Sequence, residues 1–158
     1  MFREIRRKNQ ALTEEECKDI LTRHGEGVLA CAGDDGYPYA VPVNYVYADG
    51  KIVIHGGRAG HRWDAVHRSD KVSFCVIDQD QVIEEFYTTA YKSVIAFGRA
   101  RTLTEPMEMQ PYLEALTGHF VSAPKEDQLA YIRRGMPHVS LLVIDIEHLS
   151  GKKGSRVK

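Results

Sequence analysis

The sequence predicts a mostly β fold, a small antiparallel barrel of about six strands with helices at its periphery. Three observations carry that reading. Apolar runs of strand length recur from Val28 onward, Asp-Gly pairs at 35–36 and 49–50 punctuate them, and segments with helical spacing sit around and between them. The 158 residues, 43% of them hydrophobic, suit one domain spanning 1–158 that buries roughly 68–70% of its unfolded surface.

Thr13-Glu14-Glu15-Glu16 is a capping box: Thr13 and Glu16 can satisfy each other's orphan N–H groups, so a helix begins there. Cys17, Ile20 and Leu21 give it an apolar face, and Gly25 and Gly27 suit its end. Strands are expected over 28–32, 37–47 and 52–55, joined by the two Asp-Gly turns. In the second strand Tyr39, Val41, Val43, Tyr45 and Tyr47 share one face; Ala40, Pro42, Asn44 and Val46 share the other. Both faces are largely apolar, which predicts cover on both sides, with Pro42 at a bulge or an edge. A glycine-rich turn at 56–60 interrupts the sheet, and His61–Arg68 can form a short helix with Trp63 and Val66 turned inward. A strand over 71–78, a polar loop over 79–85 and a long strand over 86–103 follow. Pro106–Phe120 and 125–134 read as helices, with Ser122-Ala123-Pro124 supplying a cap and a first-turn proline. The run 139–146 closes the sheet, and the basic tail 151–158 is expected to fray.

Composition excludes several function classes. Lys plus Arg number 21 against 22 Asp plus Glu, a net charge of −1, so no global field draws the molecule to nucleic acid or an anionic bilayer. The apolar runs fall short of the ~20 residues that span a membrane, and the charged start lacks a signal-peptide core; a soluble, cytoplasmic protein is expected. Cys17, Cys31 and Cys75 are odd in number and unpaired in spacing, which points to packing rather than disulfides. His55, His61 and His67 recur every six residues, a spacing that fits no metal site, and none is expected.

The densest cluster of functional residue types is His55-Gly56-Gly57-Arg58-Ala59-Gly60-His61-Arg62, which ends a strand and opens a helix. Glycines let backbone N–H groups approach a ligand, the helix start offers orphan donors, and His61 and Arg62 add donors and positive charge. That combination suits a phosphate. Neither a Walker loop nor G-x-G-x-x-G is present, so a single phosphate is favoured over a pyrophosphate. Ser93, a small hydroxyl on the long strand, is a further candidate donor to a phosphate oxygen. Tyr39, Tyr45, Tyr47, Trp63, Phe86 and Tyr91 could wall a pocket or fill core and interface.

Taken in order, 36–43, 49–52, His55 with Gly60-His61-Arg62, 71–76 and 93–100 resemble the FMN-binding split-barrel superfamily related to pyridoxamine 5'-phosphate oxidase. The opening 1–8 and closing 146–152 are similar to its nitroimidazole-resistance (Nim) branch. The resemblance implies a six-stranded antiparallel split β-barrel that forms a homodimer, with FMN between subunits. Carried onto this chain, Val41, Pro42, Val43 and Asn44 would run along the isoalloxazine ring. His55, Gly56 and Gly57 would border ring and ribityl chain, and His61 and Arg62 would grip the phosphate with Ser93 opposite. It further implies an oxidoreductase acting on flat, electron-poor acceptors such as 5-nitroimidazoles, with His55 delivering a proton. The terminus lacks the substrate-holding arginine and proline of true pyridoxamine phosphate oxidases, which argues against vitamin B6 oxidation. The superfamily also includes haem-holding barrels, so a cofactor-binding protein without turnover is the alternative, with His55 or His61 as an axial ligand.

Overall fold

The computed structural model describes residues 2–157; Met1 of the opening motif and Lys158 of the basic tail lie outside the described residues. Helix α1 (Glu14–Arg23) starts on the expected capping box, with Thr13 N–H donating to Glu16 Oε2 at 2.7 Å and Glu16 N–H donating to Thr13 Oγ1 at 3.2 Å. Its C-cap is His24 rather than a glycine. Gly25 and Gly27 serve close approach instead, to the Phe120 ring and the Phe74 ring.

The sheet contains β1 (Glu26–Ala32), β2 (Pro38–Asn44), β3 (Val46–Ala48), β4 (Lys51–Gly56), β5 (Lys71–Ile83), β6 (Thr88–Leu103) and β7 (Ser140–Lys153). They are ordered β2-β1-β5-β6-β7-β4-β3, every neighbouring pair antiparallel. Both Asp-Gly pairs make the expected turns, with positive φ at Asp35, Gly36, Asp49 and Gly50.

Seven strands replace six because the segment 37–47 breaks at Tyr45. Its first part pairs with β1 at one edge of the sheet, its second with β4 at the other, so one bent segment joins both edges and rolls the sheet into a barrel. Tyr45 builds the corner. Its N–H donates to the Gly25 carbonyl at 2.8 Å and its hydroxyl to the Leu21 carbonyl at 2.8 Å, while its fully buried ring stands edge-on to Phe74. Pro42 lies on an edge strand, as its missing donor requires.

Two clusters fill the molecule. The barrel interior holds Leu29, Ile52, Ile54, Phe74, Val76, Val94, Leu142 and Ile144, sealed by Cys17, Ile20 and Leu21 of α1 and by Ala65 and Val66 of α2 (His61–Arg68). On the outer face Val46, Val53, Leu141 and Val143 pack against Met109, Leu113 and Leu116 of α3 (Pro106–Phe120) and Ile132 of α4 (Lys125–Gly135). Strands β4 and β7 are apolar on both faces because they separate these two cores.

Three expectations need correction. The segment 79–85 is not a loop: β5 continues to Ile83 and pairs with β6 as a projecting hairpin, with Asp78 as the extra residue of a bulge between Ile77 and Gln79. Most side chains there are exposed, so no period-2 burial marked the strand. The closing strand runs to Lys153, paired with Lys92, so the tail begins as strand rather than frayed chain. Pro124 is the N-cap of α4 rather than a first-turn residue, and no side chain caps it. Among the described residues no helix is long and apolar enough to cross a membrane.

Candidate functional site

Strand β4 delivers His55 and Gly56 to the rim of the barrel, and the chain then turns through 57–60 into α2. Gly60, the N-cap, has φ +119, a conformation that L side chains rarely adopt. No side chain caps α2, so the orphan N–H groups of its first turn, with the positive end of its dipole, face a cavity of about 230 Å³ at the turn. A Cβ at Gly57 would meet nothing within 4 Å, whereas one at Gly56 would overlap the Arg62 guanidinium. Gly56 is therefore the residue that lets Arg62 lie across the end of β4, donating from Nη2 to the His55 carbonyl at 3.3 Å.

Two further contacts pin the turn. Ser140, directly across from Gly56 on β7 and 2% exposed, donates its hydroxyl to the Gly57 carbonyl at 2.8 Å. Arg58 Nε donates to the Val139 carbonyl at 3.1 Å. The His61 ring stacks on Tyr39 with centroids 3.9 Å apart, and its Nε2 lies 3.5 Å from Asp34 Oδ2. Arg68 donates to the same carboxylate at 2.7 Å and, with His61, holds Asp34 below the usual carboxylate range.

On the other side of β4, His55 and Asn44 line a larger cavity of about 740 Å³ roofed by α3 and α4. His55 is exposed at its mouth, yet surrounding protein removes enough water, aided by the Arg62 charge, to push its imidazole below the usual 6.5. It is therefore mainly neutral at pH 7. Of the four residues expected along a ring, Val41 and Val43 pack against the barrel core, whereas Pro42 and Asn44 are exposed on the outer face. The expected cover over that face is absent within the single chain. β2 pairs with β1 alone, so alternate backbone groups on its far edge have no strand partner.

Thus His55, Gly56, Gly57, His61 and Arg62 share one rim, and Asn44 joins His55 alone at the larger cavity. Ser93 does not. It pairs with Ile77 and Lys152, ten residues along β6 from Leu103, the residue level with Leu141 and His55. That is on the order of 30 Å of strand. Within one chain Ser140, not Ser93, is the hydroxyl at the turn; only the fold's register identifies it, since Ser140 heads an apolar run with no motif. The aromatic candidates scatter too. Tyr39 and Trp63 line the small cavity, Tyr45 fills the core, and Tyr91 and Phe86 lie beneath Lys152 and Arg156. Phe120 and Tyr131, from helices carrying no recognisable motif, wall the large cavity instead.

A family model described as pyridoxamine 5'-phosphate oxidase matches residues 13–153. Among solved structures, a FAD-binding protein of Mesorhizobium loti is 25% identical, covering 92% of this chain and 98% of its own, with a TM-score of 0.65. A FAD and haem binding protein of Mycobacterium smegmatis is 21% identical over 95% of this chain and 75% of its own, with a TM-score of 0.78. A candidate 5-nitroimidazole antibiotic resistance protein of Bacteroides thetaiotaomicron VPI-5482 is 15% identical over 90% and 86%, with a TM-score of 0.75. No curated protein matches the chain.

Proposed function

This chain belongs to the pyridoxamine 5'-phosphate oxidase family, and from that premise we propose that it binds FMN and uses it to reduce flat, electron-poor acceptors such as nitroaromatics. The observation that carries the reading is the pair of cavities meeting at His55–Gly56, one small and edged by donors and positive charge, the other large and mostly apolar. A ligand that seats a phosphate in the first and lays a flat ring at His55, between the two, fits that arrangement and leaves the large cavity to the acceptor.

The residues present suit the group. The α2 N–H groups and Arg62 would hold a single phosphate, with Gly57 leaving room for it, while Ser140 and Arg58 fix the turn's shape. The ring would pass His55 and follow the outer face of β2, where Pro42 and Asn44 are exposed and the far edge of the strand has no strand partner. His61, committed to Tyr39 and Asp34, would shape the rim more than touch the phosphate.

A bound flavin supplies electrons, and converting a nitro to a nitroso group takes two electrons and two protons and releases water. His55 is the proton-handling group: it sits where ring and acceptor would meet, and its lowered pKa keeps one nitrogen free to accept a proton and the other able to donate.

A homodimer completes the site. Ser93 is flanked on the outer sheet face by Ile77 and Ile95, 61% and 37% exposed, an apolar surface suited to a second copy. In that arrangement Ser93 of one protomer faces the glycine-rich turn of the other, which accounts for its distance from its own. The Mesorhizobium loti and Mycobacterium smegmatis structures support flavin in their own names, and the second supports haem as well. The nitroimidazole-resistance neighbour supports the acceptor class.

An absorption spectrum of purified protein tests the reading: paired flavin bands support it, and a single Soret band would replace it with the haem alternative. Mass spectrometry of the released nucleotide separates FMN from FAD. Anaerobic titration with reduced nicotinamide and a 5-nitroimidazole then tests turnover; flavin that stays reduced in the presence of the nitro compound would remove the enzymatic part.

A further inference from the structure

We propose that the cavity between the barrel and the α3–α4 hairpin binds a flat aromatic ring bearing a carboxylate or similar anionic substituent, with Arg134 taking the charge. The inference rests on the flavin reading for its biological meaning, since it names the acceptor class, but its test does not need flavin.

The wall has two kinds of surface. Leu113, Leu116 and Ile132 are anchored in the outer core, which fixes the hairpin, and beside them Phe120 and Tyr131 present exposed apolar area to the cavity. A volume of about 740 Å³ lies in the range that holds a drug-sized ligand. Two aromatic side chains over an aliphatic floor favour a planar ring over a flexible chain.

Charge sets the second requirement. Apart from the mainly neutral His55, the Asp and Arg side chains lining the cavity are Asp127 and Arg134, both on α4. They stand seven positions apart, about 10 Å along the helix axis, so each acts at its own end of the wall. The hairpin's ties leave Arg134 out: Lys125 pairs with Glu114 at 2.8 Å, and Gln128 donates to the Val121 and Ala123 carbonyls. Among the described residues Arg134 has no ion-pair partner. Arg133 and Arg134 both sit in the last turn, where either offsets the helix dipole, but only Arg134 faces this cavity. A planar guanidinium with open donors beside an apolar wall is suited to a carboxylate, which it can bind through two parallel hydrogen bonds.

The test is calorimetric titration of 4-nitrobenzoate and of the neutral 4-nitrobenzyl alcohol into the full chain, with flavin content read from absorbance of the same samples. The wild type is expected to bind the carboxylate about tenfold or more tightly than the alcohol. Arg134→Gln should erase that preference with little change in the melting temperature, because the side chain is exposed and Arg133 still offsets the helix dipole. Phe120→Ala should weaken both ligands alike. Equal binding of the two compounds, no saturable binding of either, or a preference that survives Arg134→Gln would overturn the inference. Protein that takes up no added FMN yet shows the preference keeps this pocket and discards the flavin reading; protein that binds FMN and lacks the preference does the reverse.

Discussion

Gly56→Ala isolates the link between the glycine-rich turn and the proposed phosphate. The added methyl would occupy the position of the Arg62 guanidinium, the far end of a flexible side chain, so Arg62 swings away and the fold survives. What is lost inside the protein is one hydrogen bond to the His55 carbonyl, about 1 kcal/mol at most given its exposed 3.3 Å geometry. What is lost to the ligand is larger. A charge-assisted hydrogen bond contributes about 1.5–3 kcal/mol, so FMN affinity should fall roughly 10- to 150-fold. Titration of FMN into apoprotein, followed by flavin fluorescence, reads that change, with the thermal midpoint recorded beside it. Riboflavin, which lacks the phosphate, should lose little. In a double-mutant cycle Gly56→Ala should add almost nothing on an Arg62→Ala background, since both remove the same contact. FMN affinity within twofold of wild type, or an equal loss for riboflavin, would refute the reasoning.

Three more outcomes are expected. The His55 imidazole should titrate below 6.5 by proton NMR, and Arg62→Ala should bring it only part of the way back, because desolvation is the larger cause. Its folded-state value lies below its unfolded one, so its contribution to stability is present above about 6.5 and declines as pH falls; a rate that depends on its protonated form should drop as pH rises through the lowered value. Tyr45→Phe leaves the buried Leu21 carbonyl without its donor and should cost about 1–3 kcal/mol in urea unfolding, with the chevron or equilibrium slope unchanged. Asp78, 11% exposed, resists burial less than it gains from hydrogen bonds with His24 and Arg23, which together hold its carboxyl below the usual range. Asp78→Asn should therefore destabilise by about 1–3 kcal/mol at pH 7, a difference that disappears as the wild type is acidified through that lowered value.

Local chemistry explains what could be read in advance. The capping box at Thr13, the two Asp-Gly turns and the helix at 61–68 each depend on residues within four positions of one another, so they are visible in any reading of the chain. The glycine-rich rim was visible for the same reason. Segment 79–85 reads as a loop because its strand buries neither face, and the pattern that betrays strands comes from one face being dry. Phe120, Tyr131 and Arg134 carry no local signal because their helices look like ordinary outer packing; nothing in the neighbouring sequence says which barrel residues lie beneath them.

The sequence alone determined the helices, most of the strands, the antiparallel barrel and the turn that gathers His55, Gly56, Gly57, His61 and Arg62. Only the tertiary structure decided that 37–47 bends at Tyr45 to join both sheet edges, that within one chain Ser140 rather than Ser93 stands at the turn, and that α3 and α4 roof His55. The division has one physical cause. Hydrogen bonds and dihedral preferences within a turn act over a few residues, while strand register and helix docking are fixed by burial between segments as far apart as Asn44, His55 and Phe120.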